Sequence, residues 1–371
     1  MNTDRQVRFA VVGLGHIAQV AILPGFAQAP HARLVALFSD DPEKRHHLGR
    51  KYAVDQVHDY DAYDRVLESG EVDAVYIALP NHLHREYAVR AAKRGIHVLV
   101  EKPMAVDEQE CVEMIDAAET ANVKLMVAYR LHFDPANLEA VRLVQDGKLG
   151  TPRAIVSTFT QNVVEGNVRL MPVAQGGGPL YDMGIYCINA ARYLFRDEPI
   201  QVQAVAASRD DPRFRASPEM IAATLHFPGE KIASFTCSFG SADSSRYEVL
   251  GDAGRLVMEP AYGYAVGLRY TVETVGSERK QTKGFDKHDQ FGAQLQYFCE
   301  CVLEDRAIEP DGLEGLADVH IVRAIHQAAE EHRTIPVVPV RQRQRPDLDQ
   351  AYRLPGVRKP KTVNAEAPSG D

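Results

Sequence analysis

The run Val7-Arg8-Phe9-Ala10-Val11-Val12-Gly13-Leu14-Gly15-His16-Ile17-Ala18 constrains the fold more than any other stretch of this chain. A short apolar segment breaks at a glycine and resumes as a helix-compatible sequence, with the spacing G-x-G-x-x-A. The first glycine permits a tight turn, the second lets the backbone approach a pyrophosphate, and the small third residue lets helix and strand pack closely. Leu14, His16 and Ile17 complete a loop whose amides, free at a helix N-terminus, suit a phosphate. The pattern predicts a dinucleotide site at the start of a parallel α/β layer.

The texture downstream agrees. Apolar runs over residues 8–12, 33–38, 74–78, 97–100 and 124–127 alternate with helix-compatible stretches, which is the signature of a parallel sheet covered on both faces. Asp107, followed three residues later by Glu110 and then by Cys111, Met114, Ile115 and Ala118, reads as a helix cap and its buried stripe. After Tyr129 the period changes to two, over residues 154–160, 202–207, 220–227, 231–239, 246–250 and 256–259, as in an antiparallel sheet with one buried face. Residues 314–331 read as a closing helix with Leu316, Val319, Ile321, Val322 and Ile325 apolar. The expected fold is a doubly wound parallel Rossmann domain over residues 1–128. An α+β domain with a large open, mostly antiparallel sheet should follow over 129–340, and an extended or poorly ordered tail over 341–371.

A length of 371 residues suits two cores better than one, and no apolar run approaches the roughly 18 residues of a membrane span. Residues 1–6 lack the layout of an export leader, and the five cysteines show neither metal-ligand nor disulfide spacing, so a reduced cytoplasmic protein is expected. The net charge of -9 argues against nucleic acid as a partner. Basic residues do cluster over 341–361, where a solvated tail or a subunit-wrapping arm is the plainer reading.

The end of the second strand sets the flavour of the dinucleotide, because an acid there would accept hydrogen bonds from the ribose 2′-hydroxyl of NAD. The sequence has Ser39 at that point, followed by Asp40 and Asp41, with Lys44 and Arg45 close behind. Serine with two cations favours the 2′-phosphate of NADP, although a slip of one residue would bring Asp40 to the ribose.

Two further clusters carry chemistry. Glu101-Lys102-Pro103 follows an apolar strand at the edge where a doubly wound sheet holds ligands, although a lysine there can equally point to solvent. Gly176-Gly177-Gly178-Pro179-Leu180-Tyr181-Asp182-Met183-Gly184-Ile185-Tyr186 reads as a flexible start to a helix with Asp182 and Tyr186 on one face, or as a capped helix with a buried tyrosine.

Taken in order behind the glycine turn, these clusters resemble one family. With Ala78-Leu79-Pro80-Asn81-His82-Leu83-His84 and Tyr129-Arg130-Leu131-His132-Phe133-Asp134-Pro135, they look like the glucose-fructose oxidoreductase, inositol dehydrogenase and rhizopine catabolism (Gfo/Idh/MocA) family over residues 7–336. Many members carry His where Tyr186 stands, and Tyr186 looks closest to the glucose-fructose and aldose-aldose oxidoreductases. The chain departs from the former by lacking its export leader and its N-terminal arm over the cofactor.

The resemblance implies that Lys102, Asp182 and Tyr186 surround the hydroxyl being oxidised, with Tyr186 as base, Lys102 favouring its phenolate and Asp182 orienting the sugar. A tyrosine, ordinarily titrating near pH about 10, needs such help. The resemblance also implies cofactor contacts from Tyr60, Leu79, Pro80, Asn81, His84, Glu101, Lys102 and Arg169. No metal is implied, and His82 and His84 read as loop and helix-start residues. The expected reaction oxidises an aldose at C1 to the lactone and passes the hydride through tightly bound NADP(H) to a second sugar. An ordinary NAD(P)-dependent sugar or polyol dehydrogenase with exchangeable cofactor is the alternative, and a non-catalytic NADP or sugar sensor a weaker one. A homodimer or homotetramer is expected from the open sheet.

Overall fold

The structure, a computed structural model, describes residues 5–277, 279–340, 342 and 344–369. Its contacts divide the chain into two compact units that interleave in sequence. The first comprises the chain up to Arg130 with Asp289–Gly315 and Tyr352–Ala367, and the second Leu131–His288 with Leu316–Ala351 and the residues from Pro368 onward.

The first unit holds a six-stranded sheet of β1 (Val7–Val12), β2 (Ala32–Phe38), β3 (Gln56–His58), β4 (Ala74–Ile77), β5 (His97–Val100) and β6 (Leu125–Val127), in the order β3-β2-β1-β4-β5-β6. Every pairing is parallel. Because helices cover both faces, β1, β4 and β5 are buried almost throughout, which is why they read as continuous apolar runs. Phe9, Phe38 and Tyr76 are fully buried here, each contributing roughly 1.5–3 kcal/mol of apolar burial. The strand order reverses between β1 and β4, so the crevice beyond their C-terminal ends is where this topology takes a ligand. The Asp107 cap is present, its carboxylate accepting from the Glu110 amide at 2.9 Å, and Cys111, Met114 and Ala118 are the buried stripe of helix Glu108–Thr120.

The second unit is built on a nine-stranded sheet. Its strands are β7 (Pro152–Asn162), β8 (Gln201–Ala207), β9 (Met220–Phe227), β10 (Lys231–Ser238), β11 (Gly240–Gly251), β12 (Gly254–Met258), β13 (Arg269–Thr274), β14 (Gln281–Gly284) and β15 (Ile335–Pro336), ordered β14-β13-β12-β11-β7-β10-β9-β8-β15. Only the β7–β10 pairing is parallel. One face buries Ile155, Ile221, Ala223, Leu225, Ala233 and Phe235 together with Ile321, Val322 and Ile325 of helix Gly312–Glu331. Register places Val156, Val205, Ile232 and Leu250 on the opposite face, where all four are exposed.

A charged cluster ties this core together. The fully buried guanidinium of Arg192 donates to Glu198 at 2.7 and 2.9 Å and to Asp318 at 2.6 Å. Asp318 also accepts from Asn189 at 3.0 Å, and the Asn189 carbonyl lies 2.7 Å from the His132 ring. Among the described residues, no helix is long and apolar enough to cross a membrane.

Candidate active site

The glycine turn closes as its sequence requires. Gly13 has φ +98°, and a Cβ there would stand 2.5 Å from the Ala78 carbonyl oxygen, so both backbone conformation and space exclude other residues. At Gly15 a Cβ would meet nothing within 4 Å. What glycine keeps open at that position is room for a ligand at the N-terminal end of the helix. The fit to a dinucleotide pyrophosphate is direct: an open backbone face, a helix N-terminus and the C-terminal ends of two central parallel strands.

At the end of β2, Ser39 is buried, and its hydroxyl accepts from the Asp41 amide at 3.2 Å and donates to the exposed Asp40 carboxylate at 3.5 Å. The serine therefore removes an acid from this position more than it offers a contact. Arg45 brings the positive charge, its guanidinium donating to the Ser39 carbonyl at 2.5 Å, while Asp41 caps the helix Pro42–Tyr52 that carries Lys44. A cation fastened beside a neutral strand end suits a 2′-phosphate better than a ribose diol. Asp40 is exposed, and its charge together with burial raises the pKa of Tyr60, burial being the larger cause.

The turns after β4 and β5 form a second wall of this unit. Leu79, Pro80 and Asn81 lead into the turn Asn81–Leu83, and Glu101 and Lys102 follow β5, with a cis Lys102–Pro103 peptide. His84 is fully buried between these turns, with its two ring nitrogens each 2.9 Å from the carbonyl oxygens of Pro103 and Leu79. Burial pushes its pKa down to about 4, so the neutral ring donates to one carbonyl only. It fastens two turns and presents neither ring nitrogen to a ligand. Glu101 accepts from the Tyr76 hydroxyl at 2.8 Å, and Tyr76 accepts in turn from Gln294 at 2.5 Å. Burial raises the Glu101 pKa against the opposing pull of Lys102, of the Tyr76 hydrogen bond and of Arg130. Glu101 is thereby held in a network behind the strand ends, beside Lys102.

In the second unit the glycine-rich stretch does start a helix, but its first turn, Leu180–Gly184, is π-helical and passes into the α-helix Ile185–Phe195. Such wide turns are frequent at functional sites. The Asp182 carboxylate accepts from Arg169 Nε at 2.8 Å. The loop bearing Arg169 is clamped onto the helix start by hydrogen bonds from Gly178 N to Arg169 O at 2.8 Å and from Gly177 N to Pro172 O at 3.1 Å. A Cβ at Gly177 would overlap the Met171 carbonyl, which explains a glycine there. The Tyr186 ring, half-buried, is packed edge-on against Phe159 at 5.5 Å and lies 6.0 Å from Tyr262. Within this unit the structure thus joins Arg169, Asp182 and Tyr186 around one helix start. Lys102 and the residues of the dinucleotide turn belong to the first unit.

Residues 7–129 match the family model described as the oxidoreductase family with an NAD-binding Rossmann fold, and residues 137–257 match that of the GFO/IDH/MocA C-terminal domain. Among solved structures, the chain is similar to aldose-aldose oxidoreductase from Caulobacter crescentus complexed with glycerol, at 37% identity and a TM-score of 0.84, covering 90% of this chain and 100% of that one. It is similar at 26% identity and a TM-score of 0.80 to a 3-ketoreductase from Actinomadura kijaniata in complex with NADP and TDP-benzene, covering 87% of this chain and 98% of that one. A D-xylose 1-dehydrogenase [NADP(+)] from Haloarcula marismortui is 30% identical over 343 residues, which are 90% of this chain and 94% of the relative.

Proposed function

The chain belongs to the Gfo/Idh/MocA oxidoreductase family, and from that premise we propose that it is an NADP-dependent sugar oxidoreductase oxidising an aldose at C1 to the lactone. The observation that carries this reading is the π-helical start that sets Asp182, clamped by Arg169, four residues before Tyr186 at the head of one helix. NADP, when bound, supplies the acceptor for the hydride leaving C1. The chain's own residues do the rest. Gly13, Leu14, Gly15, His16 and Ile17 would cradle the pyrophosphate through backbone groups, and Lys44 and Arg45 would neutralise the 2′-phosphate near Ser39. Tyr60, Leu79, Pro80 and Asn81 would hold the rest of the cofactor, with Glu101 fixed behind them by Tyr76. As phenolate, Tyr186 would take the proton from the C1 hydroxyl; the Lys102 ammonium would favour that phenolate by its charge, and Asp182 would orient the sugar.

In the version we favour, NADP stays on the protein and a second sugar takes the hydride back, a reading supported by the similarity to an aldose-aldose oxidoreductase. The similarity to D-xylose 1-dehydrogenase [NADP(+)] favours a second version in which reduced cofactor leaves after each turnover. The absorbance of the purified protein separates them. Reduced-nicotinamide absorbance that survives desalting, and is bleached by a reducible sugar without added cofactor, is expected; a cofactor-free protein that turns over only with added NADP would select the second version. We further propose a cytoplasmic homodimer or homotetramer, in which the exposed valines and isoleucine of the open sheet face pack against a second copy.

A further inference from the structure

The segment Tyr352–Ala367 belongs to the first unit although it lies more than two hundred residues beyond that unit's sheet. It is tied down first on helix Gln290–Leu303. Tyr352 donates to Glu300 at 2.7 Å, and the Leu354 carbonyl accepts from the Asp289 amide at 3.0 Å. Pro355 and Pro360 then stiffen the run toward Val363.

At Val363 the segment meets the dinucleotide turn. Gln19, fully buried, sits four residues past Gly15 and embraces the Val363 peptide from both sides, accepting from Val363 N at 2.8 Å and donating to Val363 O at 2.8 Å. The same Gln19 amide donates to the Leu14 carbonyl inside the glycine turn at 2.9 Å. The next residue, Asn364, with φ +46°, donates to Asp41 at 2.9 Å and to Glu43 at 3.0 Å. Asp41 in turn accepts from the Glu43 and Lys44 amides at the start of the helix that flanks the 2′-phosphate end. Two consecutive residues thus bridge the loop after β1, which holds the pyrophosphate, and the loop after β2, which chooses between ribose and phosphate. The Asn364 hydrogen bond is also the largest cause lowering the Asp41 pKa.

We propose that residues 352–367 form a strap that retains the bound dinucleotide, with Val363 and Asn364 as its clasp. The inference rests on the functional reading above, because only a bound NADP gives the clasp something to retain. The strap fixes both loops in the conformation that meets the phosphates, and dissociation of the cofactor requires one or both clasp contacts to open. A polar residue such as Gln19, buried in an otherwise apolar helix start, is accounted for in the same way: its amide has no purpose in the helix and three partners in the clasp and turn.

The test uses the full-length protein loaded with NADPH. Release is followed by cofactor fluorescence on mixing with excess NADP, for the unaltered protein and for Val363→Pro with Asn364→Ala, which remove the donor to Gln19 and the bridge to Asp41 and Glu43. Release at least tenfold faster, from a variant whose melting profile matches the unaltered protein, is expected. Release within twofold would overturn the strap. Should the double variant fold poorly, hydrogen exchange on the unaltered protein decides: the Val363 amide is expected to be more protected with NADP than without, and equal protection overturns the proposal. Failure of the unaltered protein to bind any nicotinamide dinucleotide would instead overturn the functional reading itself.

Discussion

Replacing Tyr186 by phenylalanine is expected to lower kcat for aldose oxidation by two to four orders of magnitude, the usual worth of a positioned proton acceptor, while NADP affinity stays within about threefold. The substitution is a clean one in this structure. The ring contacts with Phe159 and Tyr262 are unchanged in phenylalanine, so the helix Ile185–Phe195 keeps its packing and only the hydroxyl is lost. The measurement is steady-state turnover of an aldose beside a titration of NADP. A rate within tenfold of the unaltered protein would remove Tyr186 from proton transfer and leave Asp182 as the candidate base.

The second large effect is one of stability. Arg192, on the same helix, is fully buried between Glu198 and Asp318. Arg192→Met fills much of the volume but takes the guanidinium from two core carboxylates, of which Glu198 keeps its ion pair with Arg345, and breaking a buried pair from one side costs about 3–5 kcal/mol. Denaturant unfolding followed by a signal from the second unit should show a loss of that order. A loss below about 1 kcal/mol would mean that water reaches the cluster and that its charges are solvated as surface pairs are. Because Asn189 and His132 are joined to Asp318, a change at Arg192 is also expected to loosen the helix that carries Tyr186.

What the sequence made legible follows from burial. Strands β1, β2, β4, β5 and β6 are buried on one or both faces, and their apolar runs mark them to within a residue or two. β3, three half-buried residues, and β14, Gln281–Gly284 and wholly exposed, bury too little to leave an apolar pattern and go unread. The alternation in β9 is visible because one face is buried and the other is not. The helix start before Tyr186 is signalled by its glycines, whereas its π-helical turn is not, since hydrogen-bond spacing is decided by how Leu180 and Gly184 fit their surroundings.

The site divides along the same line. Gly13, Gly15, Ser39 and the Lys102 strand end are local motifs and could be found by spacing. Ser39 differs in its role, because its hydroxyl is engaged by the Asp41 amide and the Asp40 carboxylate and the positive charge at that end comes from Arg45. His84 is a fastener of turns, which its position after β4 alone does not distinguish from a cofactor contact. Gln19 left no signal, since its partner Val363 lies 344 residues away. The C-terminal region reads as a tail by composition, yet residues 352–367 return to the first unit through backbone and amide contacts that any polar sequence could make.

The central claim is that hydride moves from sugar C1 to the nicotinamide held by this chain. A single turnover of the NADP-loaded protein with an aldose carrying deuterium at C1, followed by mass analysis of the cofactor and the sugar product, measures it directly. One deuterium in the reduced cofactor, with the lactone as product, is the expected result. Reduced cofactor without deuterium, or no reduction by any aldose, would contradict it.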